Sequence, residues 1–183
     1  MLEMKSLCDM GVAATDPEEI SNSIDLYFNS KYREEMLEFT DGGPQFNLEL
    51  VRHFIEKVGG LHDELEHLRG SAGRILIDNP ENGGLLVLNA YAHLLLETKV
   101  SDGRLQVRRQ ALLQRALKDL QDGLSAFDRE GEDSTKVMRL FQESAAAQNA
   151  QLRPLLDQLK DMLALVKHTR WLNEFNNRYG KKE

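Results

Sequence analysis

Apolar residues recur through the middle of the chain at spacings that alternate between three and four. From Val51 to Ile75 the spacings are 3, 4, 3, 4, 3, 4 and 3, the heptad pattern of a helix that presents one narrow apolar stripe to partner helices. The stripe consists of Val51, Phe54, Val58, Leu61, Leu65, Leu68, Ala72 and Ile75. Because the glycines in this stretch do not shift the phase, the pattern predicts one long helix over residues 46–77.

A second stretch keeps the same alternation and predicts a second long helix. It runs from Met138 to Thr169, and Pro154 falls inside it. Proline removes a backbone hydrogen bond and clashes with the preceding turn, so we expect a kink at this position. The alternative is a pair of helices split near Arg153. The unbroken phase favours the kink.

Start and stop signals predict shorter helices around these two. The first begins near Asp16 and Pro17 and ends at the Asp41-Gly42-Gly43-Pro44 sequence. A very apolar helix covers residues 85–99 and is buried on most sides, a turn follows at Ser101-Asp102-Gly103, and another helix runs to about Phe127. The predicted fold is an all-α, elongated bundle of about five helices with coiled-coil packing. Residues 15–183 form the single domain, after a flexible N-terminal segment over residues 1–14.

Small side chains on the two long helices predict where the helix axes approach closely. One small-residue patch is Gly70-Ser71-Ala72-Gly73 and the other is Ala145-Ala146-Ala147. A crossing of these patches would explain why glycine is tolerated in mid-helix. On this basis Gly73→Leu should destabilise the fold more than Gly59→Leu.

Charge and composition exclude several kinds of protein. The net charge is −7, and the 41% apolar residues are too many for a disordered chain. Residues 1–100 hold 8 lysines and arginines against 18 aspartates and glutamates, an acidic balance that argues against nucleic-acid binding. We expect no targeting segment and no membrane span. The lone cysteine, Cys8, cannot form an internal disulfide, which fits a cytoplasmic protein.

Candidate chemistry is sparse. Glu64-x-x-His67 has the spacing of di-iron helical bundles, and His93-x-x-x-Glu97 places two further ligand types on one helix face. A di-iron site needs a second such motif and two more carboxylates, so we expect no metal site. No phosphate-binding loop, nucleophile elbow or dinucleotide fingerprint occurs, and we expect neither a cofactor nor an enzyme.

The stretch Glu66–Gly73 resembles the His-x-Leu-Lys-Gly-Ser-Ala motif of histidine-phosphotransfer domains. In that family an exposed histidine on a helical bundle accepts a phosphoryl group. The resemblance implies roles for His67, Arg69 and Gly70. The alignment places Glu66 at the accepting position, which turns His67 by about 100° around the helix.

The C-terminal segment carries a stripe of aromatic and basic residues. Trp171, Phe175 and Tyr179 recur every four residues, and Arg170 and Arg178 flank them. The stripe either docks on the bundle or binds the groove of a partner protein. The region from Ala145 to Gly180 is faintly similar to flagellar export chaperones, a likeness that heptad periodicity alone would largely produce.

These features predict a non-catalytic protein-binding module. We expect a scaffold, an adaptor or a chaperone-like regulator that binds another protein through its helix faces and forms a homo-oligomer. The alternative is a phosphotransfer-like signalling module that uses His67.

Overall fold

The computed structural model describes residues 27–164 of the chain. Within this range the protein is mostly helical, as predicted from the sequence. The predicted N-terminal segment, the helix start at Asp16 and the aromatic stripe of Trp171, Phe175, Tyr179, Arg170 and Arg178 lie outside the described residues.

The elements follow one another in the order helices, hairpin, helices. The helices with both ends in the described range are α1 (Arg33–Asp41), α2 (Asn47–Val58), α3 (His62–Asp78), α4 (Gly83–Glu97), α5 (Gln110–Arg129) and α6 (Ser134–Gln148). Helix α7 begins at residue 153 and is described as far as residue 164, and residues 27–30 are also helical. Strands β1 (Thr98–Ser101) and β2 (Arg104–Val107) form an antiparallel hairpin between α4 and α5. Short 3₁₀ turns occupy Pro44–Phe46 and Ala150–Leu152.

Helix α4 is the centre of the fold. It packs against α5, α3 and α2, and nearly all of its residues are buried, as its apolar sequence predicts. The Asn82 side chain caps its N-terminus by accepting a hydrogen bond from the Leu85 N–H at 3.0 Å. The core around α4 includes Phe54, Phe127 and Phe141, all fully buried. None of the helices in residues 27–164 combines the length and apolarity that crossing a bilayer requires.

The prediction of one long helix over residues 46–77 is wrong, because the chain breaks between α2 and α3. Gly59 has φ +57° and ends α2, its N–H donating to the Ile55 carbonyl oxygen at 3.0 Å. Tyr91 of α4 donates to the Gly59 carbonyl oxygen at 3.1 Å and fixes the break. Leu61, a member of the predicted stripe, is 67% exposed. The phase survives because α2 and α3 each turn an apolar face toward α4.

The predicted second long helix is also two helices. Helix α6 ends at Gln148, and the Asn149 side chain accepts the Gln151 N–H at 3.1 Å in the turn that follows. Pro154 therefore lies in the first turn of α7, where its missing N–H costs no hydrogen bond. The expected kink within a continuous helix was wrong, and the alternative of two helices describes this part of the chain.

The predicted crossing of Gly70 with Ala145 does not occur. A methyl group added at Gly70 would lie 2.6 Å from Asn29 Oδ1 and 2.8 Å from the Phe28 carbonyl carbon, whereas Gly73 faces open space within 4 Å. The close helix crossing lies between α4 and α5. A methyl group at Gly123 would lie 2.9 Å from Val87 Cγ2 and 3.0 Å from the carbonyl oxygen of Gly83.

The turn at Ser101-Asp102-Gly103 is present, but it closes a hairpin instead of starting a helix. Asp102 has φ +54° and Gly103 has φ +73°. Left-handed conformations at both central residues suit a two-residue hairpin turn, because they match the right-handed twist of the strands. Helix α5 begins only at Gln110, after β2.

Candidate partner-binding site

The residues of the phosphotransfer-like motif do not form an open site. His67 is 3% exposed, and its ring packs against those of Tyr27 and Phe28 at centroid distances of 4.8 and 5.1 Å. Arg69 donates two hydrogen bonds to Glu66 Oε2, at 3.0 and 2.7 Å. A phosphoryl-accepting histidine has to meet a protein partner at the surface, so the burial of His67 argues against this interpretation.

The carboxylates of the two motifs with metal-ligand spacing, Glu64-x-x-His67 and His93-x-x-x-Glu97, bind other side chains. Glu64 accepts hydrogen bonds from the hydroxyl of Tyr32 and from Lys31 Nζ, and the Glu97 carboxylate is bound by Arg109. Among residues 27–164, no group of three or more histidine, cysteine, aspartate or glutamate side chains is placed to hold a metal ion.

His93 lies half-buried on α4, and its Nδ1 atom has no hydrogen-bond partner. Burial lowers the pKa of His93 and the positive charge of Arg69 lowers it further, whereas Glu97 and Asp119 act in the opposite direction. The surroundings therefore favour the neutral ring. On the same helix, Asn89 donates to Asp119 Oδ2 at 2.9 Å and links α4 to α5.

A charged network joins α1 to α2. Glu35 accepts hydrogen bonds from Lys57 Nζ at 2.8 Å and contacts His53 Nε2 at 2.6 Å. The hydrogen bond from Lys57 has the largest influence on the pKa of Glu35, which it lowers. Burial raises this pKa, but Lys57 and His53 together outweigh burial and hold it below its usual value. Lys57 also lies 5.3 Å from the centre of the Tyr32 ring.

This network predicts a contribution to acid stability. A carboxyl whose pKa is lower in the folded than in the unfolded chain stabilises the fold fully above the unfolded value, 4.5, and loses that contribution as the pH falls through the lowered folded value. Glu35→Gln should therefore flatten the loss of stability below pH 4.5. Urea unfolding at neutral and acidic pH checks this, with Glu38→Gln as the matched control on α1. Parallel pH profiles for wild type and Glu35→Gln would contradict it.

A neutral pocket of about 510 Å³ opens beside the hairpin. The described residues that form its walls are apolar side chains, side-chain amides and small residues, and none of them is ionisable. They are Gly60, Leu65, Leu95, Thr98, Val100, Gln148, Asn149, Ala150 and Gln151. Val100 is 46% exposed, and the exposed Leu61 follows Gly60 in the chain. Apolar surface thus remains open to solvent at this pocket.

Strand β1 has an unpaired edge at the same pocket. Arg108 N–H donates to the Glu97 carbonyl oxygen at 2.7 Å, which makes these residues a hydrogen-bonded pair at the base of the hairpin. Bonded and non-bonded pairs alternate along an antiparallel ladder, so Val100 and its partner Leu105 form a non-bonded pair. The N–H and C=O of Val100 therefore point away from β2, and within residues 27–164 no other strand pairs with β1.

The outer face of the hairpin is basic. Lys99, Arg104 and Arg108 are exposed and make no ion pair with another described residue. Their register places all three on the face opposite Thr98 and Val100. The hairpin thus has a neutral face toward the pocket and a positive face toward solvent.

A salt bridge anchors the hairpin to the helices. Arg109 Nε and Nη2 donate to the two Glu97 oxygens at 3.1 and 2.8 Å, and the Glu97 side chain is only 4% exposed. Two parallel hydrogen bonds of this kind fix geometry as well as charge.

Removing this anchor should cost stability, because it leaves a buried carboxylate without its cation. We expect Arg109→Ala to lower the free energy of unfolding by about 2 kcal/mol, less than for a fully buried pair because Arg109 itself is mostly exposed. Arg108→Ala is the control, since the Arg108 side chain makes no ion pair with another residue in the range 27–164. Chemical unfolding of both variants measures the difference, and equal losses would contradict the anchoring role.

Sequence reasoning missed the hairpin although a signal for it exists. Asp102-Gly103 is a preferred two-residue turn, and the residues on both sides alternate between polar and apolar.

The chain matches no known protein-family model, no curated protein and no solved structure.

Proposed function

We propose that this chain is a non-catalytic protein-binding module, a scaffold, an adaptor or a chaperone-like regulator, and that its hairpin is the main binding surface. One observation supports this proposal above the others: strand β1 presents an unpaired edge directly at a neutral, partly apolar pocket. An unpaired edge is a template for a further strand, and partner proteins use such edges through main-chain hydrogen bonds.

The packing of the hairpin suits this role. The strand is covalently continuous with the central helix α4, and the salt bridge between Glu97 and Arg109 fixes its base. A partner would therefore meet a preorganised edge, which lowers the entropy cost of binding. Binding through helix faces and self-association stay predictions from the sequence.

Affinity capture from cells of the native host tests the proposal. The bait is the full chain, compared with the double variant Lys99→Glu, Arg104→Glu. The matched control reverses two exposed charges on α6, Lys136→Glu and Arg139→Glu. We expect mass spectrometry to identify a protein that is retained by wild type and by the control but lost by the hairpin variant. Retention of the same proteins by all three baits would overturn the hairpin as the binding surface.

A further inference from the structure

We infer that the hairpin binds an extended segment in which acidic residues alternate with apolar residues, added as a strand along the free edge of β1. This inference rests on the proposed function and names the chemistry of the partner. Its basis is the juxtaposition of three features at one edge: the outward backbone groups of Val100, the neutral pocket, and the basic outer face of the hairpin.

Sheet geometry sets the alternation. Successive side chains of a strand point to opposite faces of the sheet. In a strand added beside β1, every second side chain would therefore share the face of Thr98 and Val100, which line the pocket. The side chains between them would share the face of Lys99 and Arg104, which are exposed and without an ion pair in the described part of the chain.

The pocket selects neutral side chains. Leu65, Leu95 and Val100 supply apolar surface, and Gln148 supplies a side-chain amide that can hydrogen-bond to a peptide main chain. A charged side chain placed here would lose water without gaining an opposite charge, which is unfavourable. Apolar residues therefore suit the pocket face of the added strand.

The outer face selects acidic side chains. A carboxylate placed next to Lys99 would gain a cross-strand ion pair, and Arg104 and Arg108 on the β2 side add positive charge to the same face of the sheet. A second copy of this chain is disfavoured, because pairing two β1 edges would bring like charges together. Charge complementarity thus distinguishes an acidic segment from self-pairing.

Peptide binding to the full chain tests this inference. The probe is a fluorescent, end-blocked peptide of alternating aspartate and valine, and binding is followed by fluorescence anisotropy. The comparison peptides are one with the same residues in two blocks and one of alternating lysine and valine. We expect both to bind at least about tenfold more weakly than the probe, and we expect added salt to weaken binding of the probe.

Two protein variants separate the backbone edge from the charges. Val100→Pro removes the outward N–H but leaves the ladder to β2 intact, because this N–H is not part of it. Val100→Thr keeps the N–H and the branched shape and is its control. We expect Val100→Pro and the Lys99→Glu, Arg104→Glu variant to weaken binding of the probe about tenfold or more. Val100→Thr should weaken binding clearly less than Val100→Pro, because it loses only apolar surface, and the α6 charge variant should bind like wild type. Circular dichroism confirms that each variant is folded.

Several outcomes would overturn the inference: equal binding of the block peptide, unchanged binding by a folded Val100→Pro variant, or full displacement of the probe by a short single-stranded DNA. Failure of the inference and of the proposed function are distinguishable. If the hairpin variant still loses a captured cellular protein while the alternating peptide does not bind, the partner chemistry is wrong and the binding surface stands.

Discussion

Gly123→Leu is expected to destabilise the protein by about 3 kcal/mol. Gly123 lies where α5 crosses α4, the most extensive helix contact in the described residues. Even a methyl group there would approach Val87 Cγ2 to 2.9 Å and the Gly83 carbonyl oxygen to 3.0 Å. Since one of these contacts is backbone, the helices themselves would have to move apart. Urea unfolding followed by far-ultraviolet circular dichroism measures the loss.

Gly73→Leu is the control for this prediction. Gly73 lies in the middle of α3, and a side chain there would meet nothing within 4 Å. Leucine also has a higher helix propensity than glycine, so this variant should be at least as stable as wild type. Equal destabilisation by both substitutions would show that α4 and α5 do not cross closely at Gly123.

Gly70→Ala is the second substitution with a large expected effect. The added methyl group would meet the Phe28 carbonyl oxygen and lie 2.6 Å from Asn29 Oδ1. We expect a loss of about 2 kcal/mol, because backbone atoms of the neighbouring segment must shift. The same substitution one turn later, Gly73→Ala, should instead gain about 1 kcal/mol from helix propensity.

Thermal unfolding of these two alanine variants tests the packing of α3 directly. The chemical change is identical and both positions are helical, so propensity cancels in the comparison. A higher melting temperature for Gly73→Ala than for Gly70→Ala supports the contact with residues 28 and 29. Melting temperatures in the reverse order would contradict it.

The heptad pattern predicts which residues of the helices are buried better than it predicts where the helices begin and end. Val51 and Leu68 are buried where the pattern places them, yet they belong to two helices. A period reports which face of a helix is buried, and two successive helices that pack on the same central helix can share one phase. The break depends on the positive φ of Gly59 and on a hydrogen bond from Tyr91, which lies far away in the sequence. The spacing of apolar residues predicts neither the backbone conformation of Gly59 nor its hydrogen bond with Tyr91.

Proline and asparagine gave a clearer signal at the second break. Pro154 suits the first turn of a helix, and Asn149 suits the turn before it. The unbroken phase predicts one continuous helix, but the chain follows these local preferences and breaks after Gln148. The small-residue crossing failed for a similar reason, since Gly70 and Gly123 both allow close contacts but nothing local reveals which segment each one meets.

The candidate site was harder to predict than the fold. A motif around His67 cannot show that Tyr27 and Phe28 cover the histidine, because that depends on how a distant segment packs. The hairpin could have been predicted from Asp102-Gly103 and the alternation around it. Its pocket could not, since Gly60 and Gln148 reach β1 only through the packing of α2, α3 and α6.

Hydrogen exchange at the Val100 amide, measured by nuclear magnetic resonance on the full chain, tests the central claim most directly. The N–H of Val100 points away from β2 in the free protein, so it should exchange quickly. On saturation with the alternating aspartate and valine peptide, its exchange should slow markedly, because the added strand accepts its hydrogen bond. Unchanged exchange at Val100 in the saturated complex would contradict the claim that β1 is the binding edge.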